Sequence, residues 1–273
     1  NYDASVGAFA SPVSDVTITV FMVMFGINFA LYYCAITGNW RGIVKSEELR
    51  WYLGIFLTVT AAITVVLLPQ YGTVGNALRY ASFQVASIMS TTGYATADFS
   101  LWPVAARMLI FMLMFIGACA GSTGGGLKVS RIVIGFKSVL TYLGAFLHPR
   151  AVRKVKFEDK DVDAETMHAI CVYFIAAIGL FVISVLLVAL DGFDLVTTFS
   201  AVAATFNNIG PGLGVAGPTS NFAAFSDFSK VVMTMDMLLG RLEVFPMLML
   251  FYPPLWKESI GEARIRRNRT ALH

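Results

Sequence analysis

Ala169 to Leu190 contains no charged side chain, and no other feature restricts the fold of this chain so severely. A helix that crosses about 30 Å of hydrocarbon needs roughly 20 mainly apolar residues. Four more stretches reach that length. One runs from Val13 to Thr37 with Asp15 at its edge, and another from Trp51 to Leu68, where Pro69 is expected to stop it. A third begins after Pro103 and stays uncharged from Met108 to Ala120. The last, Val231 to Leu255, holds Asp236, Arg241 and Glu243. Only 14% of the residues are charged and 57% are hydrophobic, against roughly 25% charged in a soluble domain. Too little charge remains to cover a water-facing surface, which excludes an ordinary soluble enzyme, a disordered chain and a nucleic-acid binder. The expectation is an all-α polytopic membrane protein.

Two apolar segments, Asn76 to Ser90 and Asp194 to Phe206, are too short to cross. A helix of about 14 residues rises only about 21 Å. Each follows a spanning stretch and ends in a polar, Gly-containing turn, which predicts re-entrant half-helices capped by Asn76 and Asp194. Sixteen of the 20 Lys and Arg fall on one side if the five spans alternate, and by the positive-inside rule that side is cytoplasmic. The half-helices then dip in from the outer face. An offset of 117 places Gly93 on Gly210 and Val85-Ala86 on Val202-Ala203, so span, half-helix, turn and span occur twice, as in a membrane duplication. The expected organisation is residues 1–45, the last helix of an incomplete upstream repeat; 46–160, a helix–pore–helix repeat with a broken inner helix; and 161–273, a further such repeat with a basic tail. The chain opens Asn1-Tyr2-Asp3 without a methionine, which suggests a start inside a longer natural protein.

The turns after the half-helices, Ser90-Thr91-Thr92-Gly93-Tyr94 and Asn207-Asn208-Ile209-Gly210-Pro211, occupy equivalent positions. Non-helical backbone at membrane depth must line water or protein. A half-helix entering from outside aims its C-terminal carbonyls, the negative end of its dipole, at the bilayer centre. Gly93 and Gly210 allow successive carbonyls to share one axis. Thr91, Thr92 and Asn208 add neutral oxygens without a carboxylate, which suits a large monovalent cation better than a divalent one. A polar cap on a short helix is the alternative for either turn alone.

Gly121-Ser122-Thr123-Gly124-Gly125-Gly126-Leu127-Lys128 lacks the spacing and the preceding strand of a phosphate-binding loop. Three consecutive glycines break a helix, so the third span is split. The loop is either a movable plug beneath the turns or a static kink. Lys128, Asp236, Arg241 and Glu243 are expensive inside a membrane and should face the bundle interior. Asp236 and Glu243 share a helix face and Arg241 points away from them, which leaves the glycine loop as its candidate partner; a structural ion pair, or snorkelling to the interface, is the alternative. Cys34, Cys119 and Cys171 lie in apolar stretches and form no disulfide or metal pattern.

Four strings, Ser87 to Thr96 (SIMSTTGYAT), Gly117 to Lys128 (GACAGSTGGGLK), Ala204 to Gly214 (ATFNNIGPGLG) and Gly240 to Phe245 (GRLEVF), together resemble the Trk/Ktr/HKT superfamily of potassium transporters, most closely its bacterial Trk-type uptake subunits. The resemblance implies helix–half-helix–helix repeats around one pseudo-fourfold pore, with potassium as transported ligand and no organic cofactor. It implies a selectivity filter including Thr91, Thr92, Gly93, Tyr94, Asn207, Asn208, Ile209 and Gly210, with K+ at Thr91, Thr92, Asn208 and Ile209. It makes Gly121 to Gly126 (with Ser122, Thr123, Gly124 and Gly125), Lys128 and Arg241 the gate. Implied partners are the lipid bilayer, a second copy in a homodimer and a cytoplasmic nucleotide-binding regulatory ring, for which Arg150 to Lys156 and Arg264 to Arg269 offer basic surfaces. The implied location is the bacterial inner membrane. Rival readings are a non-conducting assembly subunit and a secondary transporter for another solute. A membrane-embedded enzyme lacks a visible nucleophile–base pair.

Overall fold

The computed structural model describes residues 4–147 and 154–242, together with Met247 and Met249. Helix α1 (Pro12–Phe25) is followed by α2 (Phe29–Ile36), α3 (Trp40–Lys45), α4 (Glu47–Tyr71), α5 (Val74–Met89), α6 (Val104–Leu113) and α7 (Val129–Leu147). A small antiparallel hairpin, β1 (Lys156–Phe157) and β2 (Lys160–Asp161), precedes α8 (Ala164–Val188), α9 (Leu195–Phe206) and α10 (Asp227–Leu242). The hairpin is the one element that an all-helical expectation does not anticipate. Glu243, Arg150, Arg153 and the tail from Arg264 to Arg269 lie outside the described residues.

Two units repeat the same order. In the first, half-helix α5 packs between α4 and α6; in the second, α9 packs between α8 and α10. Their inner ends are the best-buried parts of the molecule, from Phe83 to Met89 and from Ser200 to Phe206. The long helices turn apolar side chains outward, Leu57 and Val65 from α4 and Ile175, Ile178 and Leu186 from α8, as lipid-facing helices do. Caps fix where the half-helices begin. Asp194 accepts the Thr197 amide at 3.2 Å. At α5 the cap is Thr73, three residues ahead of the expected Asn76, with its hydroxyl accepting from the Asn76 amide at 3.4 Å.

Three expected spans differ from the sequence reading. Pro69 does not stop α4, which continues to Tyr71 and ends at Gly72 in the left-handed region, φ 70°. So near a helix end, proline removes one amide donor without breaking the remaining turn. The stretch from Val13 to Thr37 is not one rod, because α1 and α2 meet at a 95° bend. The third span stops being helical at Leu113, well before the glycine triplet. These last two breaks satisfy one another. The amides of Cys119 and Phe29 donate to the carbonyls of Gly26 and Gly121, each at 3.0 Å, and Gly117 donates to Leu127 at 2.8 Å. Backbone groups freed from a helix in an apolar setting need such partners, and each bend supplies them to the other. Gly26 is fixed by space as well, since a Cβ there would lie 2.1 Å from the Tyr52 hydroxyl.

Asp15 is buried in α1 and pairs with Arg79 of α5, Nε to Oδ2 3.3 Å. Removing one partner of such a pair strands the other. Arg79→Ala is expected to lower stability by about 2 kcal/mol, and Asp15→Asn in that background to recover most of it. Thermal unfolding in detergent of the natural protein carrying this chain reads both; an unchanged melting temperature for Arg79→Ala would remove the pair from the structural account.

Candidate functional site

The turns after α5 and α9 are built alike, bond for bond. Ser90 donates to Ala86, Thr91 to Ile88 and Thr92 to Ser87; at an offset of 117, Asn207 donates to Ala203, Asn208 to Thr205 and Ile209 to Ala204. The backbone leaves the helix through the left-handed region at the same two steps, Thr91 (φ 54°) and Gly93 (φ 78°), then Asn208 (φ 57°) and Gly210 (φ 109°). Asn tolerates that region, whereas a β-branched Thr is strained in it. Thr91 is held there by its surroundings, with its hydroxyl accepting the Gly125 amide at 2.8 Å.

The two turns meet. The Ile209 carbonyl oxygen lies so close to Gly93 that a Cβ on Gly93 would be 2.2 Å away, and the position of a Cβ on Gly210 is 3.8 Å from the Gly93 Cα. Among the described residues no hydrogen bond reaches the carbonyls of Thr91, Thr92, Gly93, Asn208, Ile209 or Gly210. Side-chain oxygens in the turns are occupied differently. The Thr92 hydroxyl bonds Ser90 at 2.7 Å, and the Asn208 amide nitrogen donates to the Met237 carbonyl of α10 at 2.9 Å. The Tyr94 carbonyl accepts the Ser87 hydroxyl at 2.6 Å, while its ring is half exposed. What the turns offer together is therefore main-chain oxygen, at the C-terminal ends of two half-helices whose dipoles favour a cation.

The glycine loop lies against both turns. A Cβ on Gly125 would be 3.0 Å from the Asn208 Cβ, and one on Gly126 would be 2.9 Å from the Asn207 Oδ1. Thus Gly125 and Gly126 are glycine where the loop passes the second turn. Around it, the Arg241 guanidinium donates to the Thr123 carbonyl at 2.8 Å, the Lys128 ammonium donates to the Gly124 carbonyl, and the Thr123 hydroxyl donates to Phe25 at 3.2 Å. The Gly126 amide reaches the Gly240 carbonyl at 3.3 Å. A bare run of glycines suggests a slack string, but this one is tied to α1, α10 and the first filter-like turn. Asp236, expected to face the interior, is buried and accepts the Ser184 hydroxyl of α8 at 2.6 Å.

One participant escapes the sequence reading, and another appears in it without its packing role. Gly240, which opens the string GRLEVF, lets α10 approach, since a Cβ there would fall 1.9 Å from the Phe206 carbonyl. Glu48 is buried and accepts the amides of Ala120 (2.7 Å) and Ser130 (3.2 Å), on either side of the glycine string. In sequence it reads as one of two acidic residues in a helix's first turn.

The family described as "TrkH: Cation transport protein" matches residues 1–258. The chain is 38% identical over 260 residues to the Trk system potassium uptake protein TrkH of Salmonella typhimurium, covering 94% of this chain and 53% of that protein. It is 36% identical to Escherichia coli K12 TrkH and 30% identical to Escherichia coli K12 TrkG, at the same coverages. The crystal structure of the potassium transporter TrkH from Vibrio parahaemolyticus superposes with a TM-score of 0.86 at 35% identity, over 93% of this chain and 55% of that one. The chain thus spans about half the length of the curated relatives it matches.

The apposition of the turns implies unequal tolerance. Both positions carry positive-φ strain of about 1–3 kcal/mol for any side chain, but Gly93→Ala also drives a Cβ into the Ile209 carbonyl, whereas Gly210→Ala meets no such clash. Gly93→Ala is expected to lose thermal stability, and Gly210→Ala to lose less. Melting temperatures of the natural protein carrying each change would reveal the asymmetry, and equal effects would contradict it.

Proposed function

Because this chain belongs to the TrkH family of cation transport proteins, we propose that it contributes two of the quarter-units that surround a potassium-uptake pore in a bacterial plasma membrane. The single observation that carries the reading is the pair of matched turns, each at the end of a half-helix, with six main-chain carbonyls that no donor satisfies among the described residues. Unsatisfied carbonyls are costly where water is scarce. A partly dehydrated monovalent cation, or the water that precedes it, satisfies them, and neutral oxygens hold it weakly enough to let it go. Thr91, Thr92, Asn208 and Ile209 contribute the oxygens on this reading, and Gly93 and Gly210 make the approach possible.

The glycine loop is the gate. Gly121 to Gly126 lie under both turns, and two cations, Lys128 and Arg241, attach to its carbonyls. A fixed positive charge within about 8 Å of the ion path, at an effective dielectric near 20, raises the barrier to a cation by about 2 kcal/mol. A second copy and a cytoplasmic nucleotide-binding ring belong to this reading as partners, with the exposed Lys154 and Lys156 of the basic stretch available to the latter. The relatives named as potassium uptake proteins support potassium as cargo.

Rubidium flux into liposomes containing the natural protein that carries this chain tests the proposal. Deleting Gly124 to Gly126 is expected to raise flux, and Arg241→Ala to raise it about thirtyfold. Flux that stays at the wild-type rate in both variants would take the gate away from this loop, and an absence of rubidium flux in all preparations would favour a non-conducting subunit.

A further inference from the structure

The glycine loop departs from the apolar bundle at Ala120 and rejoins it at Ser130, and both amides end on the same oxygen. Glu48 Oε1 accepts from Ala120 at 2.7 Å and from Ser130 at 3.2 Å. One carboxylate oxygen therefore closes the base of the loop and caps the start of α7 with a negative charge, where a helix N-terminus favours one. The Glu48 side chain is buried, and among the described ion pairs none involves it. A buried carboxylate balanced by main-chain amides is strongly directional: shifting either amide leaves its charge uncompensated.

The same residue is tied from the other side. Glu158, in the hairpin turn, accepts the Ser46 hydroxyl at 2.9 Å and the Glu48 amide at 3.0 Å. Its turn is unusual. Glu158 (φ 52°) and Asp159 (φ 59°) both sit in the left-handed region, as the two central residues of a tight hairpin turn do, but such turns favour Asn-Gly. Each costs roughly 1 kcal/mol there, and the compensation on view is the pair of bonds from the Glu158 carboxylate to the start of α4. The hairpin is anchored to α7 too, through the Lys137 ammonium, which donates to the Lys156 carbonyl at 2.8 Å and also pairs with Glu47. One small exposed element thus grips both α4, which holds Glu48, and α7, which begins where the loop ends.

We propose that Glu48 is the positioning residue that latches the glycine loop in its closed place, and that the 156–161 hairpin, through Glu158, is the lever that sets the latch. The role rests on the gate reading above. Moving the hairpin outward draws on Ser46 and the Glu48 amide, shifts the Glu48 carboxylate away from Ala120 and Ser130, and releases both ends of the loop together. No side chain of the loop itself has to be touched.

The experiment uses the natural protein carrying this chain, with rubidium flux in liposomes and hydrogen–deuterium exchange over residues 117–132. Glu48→Ala is expected to raise flux about tenfold and to speed exchange of the Ala120 and Ser130 amides by about tenfold or more. Glu48→Gln, which keeps an acceptor oxygen, is expected to fall near the wild type in both. Glu158→Ala, in the half-buried hairpin turn, is expected to raise flux about threefold with faster exchange in the same segment. In a protein lacking Gly124 to Gly126, Glu48→Ala should add nothing to flux. Wild-type exchange at Ala120 and Ser130 in Glu48→Ala overturns the latch whatever the flux, and unchanged exchange in Glu158→Ala overturns the lever. Failure of the gate reading looks different. The glycine deletion then leaves flux unaltered, while Glu48→Ala still speeds exchange.

Discussion

Main-chain groups released from helices inside an apolar bundle have to find partners, and most of this structure follows from where they find them. In the long helices α4 and α8 the bonds are internal, so their surfaces are free to be apolar. At the bend between α1 and α2 and at the early end of α6 the internal bonds stop. There the two breaks lie side by side and exchange amides and carbonyls, Cys119 with Gly26 and Phe29 with Gly121. At the ends of α5 and α9 they stop again, and no protein donor steps in among the described residues. The first arrangement is a joint; the second leaves carbonyl oxygens without a donor among the described residues. That difference separates scaffold from candidate site in this chain.

Glycine has a particular place in both arrangements. Gly93, Gly117 and Gly240 are each passed by a main-chain oxygen closer than any Cβ tolerates, so their shared role within this molecule is close approach and not slackness. The glycine loop illustrates this best. It is fastened by Arg241, Lys128, Thr91 and Glu48, and each of these bonds uses its own backbone. A loop held through its backbone can be released without altering its side chains.

Much of the plan was legible in the residues. Charge-free runs of helical length located α4 and α8, and short apolar runs followed by polar turns located α5 and α9 to within a few residues. The offset of 117 anticipated the matched turns because a duplicated backbone needs small residues at the same steps. The bend at Gly26 to Asn28 was hidden, because one glycine and one asparagine inside a mainly apolar stretch do not interrupt a hydropathy run. The early end of α6 was hidden too, because Met114 to Ile116 suit a helix by propensity and are overruled by the bonds available across the loop. Glu48 gave no sign of its role, since an acidic first turn is common to helices with no latch to hold.

The sequence alone settled which segments are apolar enough to lie in a membrane, which are too short to cross it, and where the chain repeats. Those properties depend on residues a few positions apart and on the length of a helix against the thickness of a bilayer. Only the tertiary structure decided that the Ile209 carbonyl faces Gly93, that Arg241 reaches Thr123 and that Glu48 closes the loop. These partners are 72 to 118 residues apart, and nothing local to either one specifies the other. Their meeting is fixed by the packing of half-helices between full ones, an outcome of shape and buried hydrogen bonding across the whole bundle.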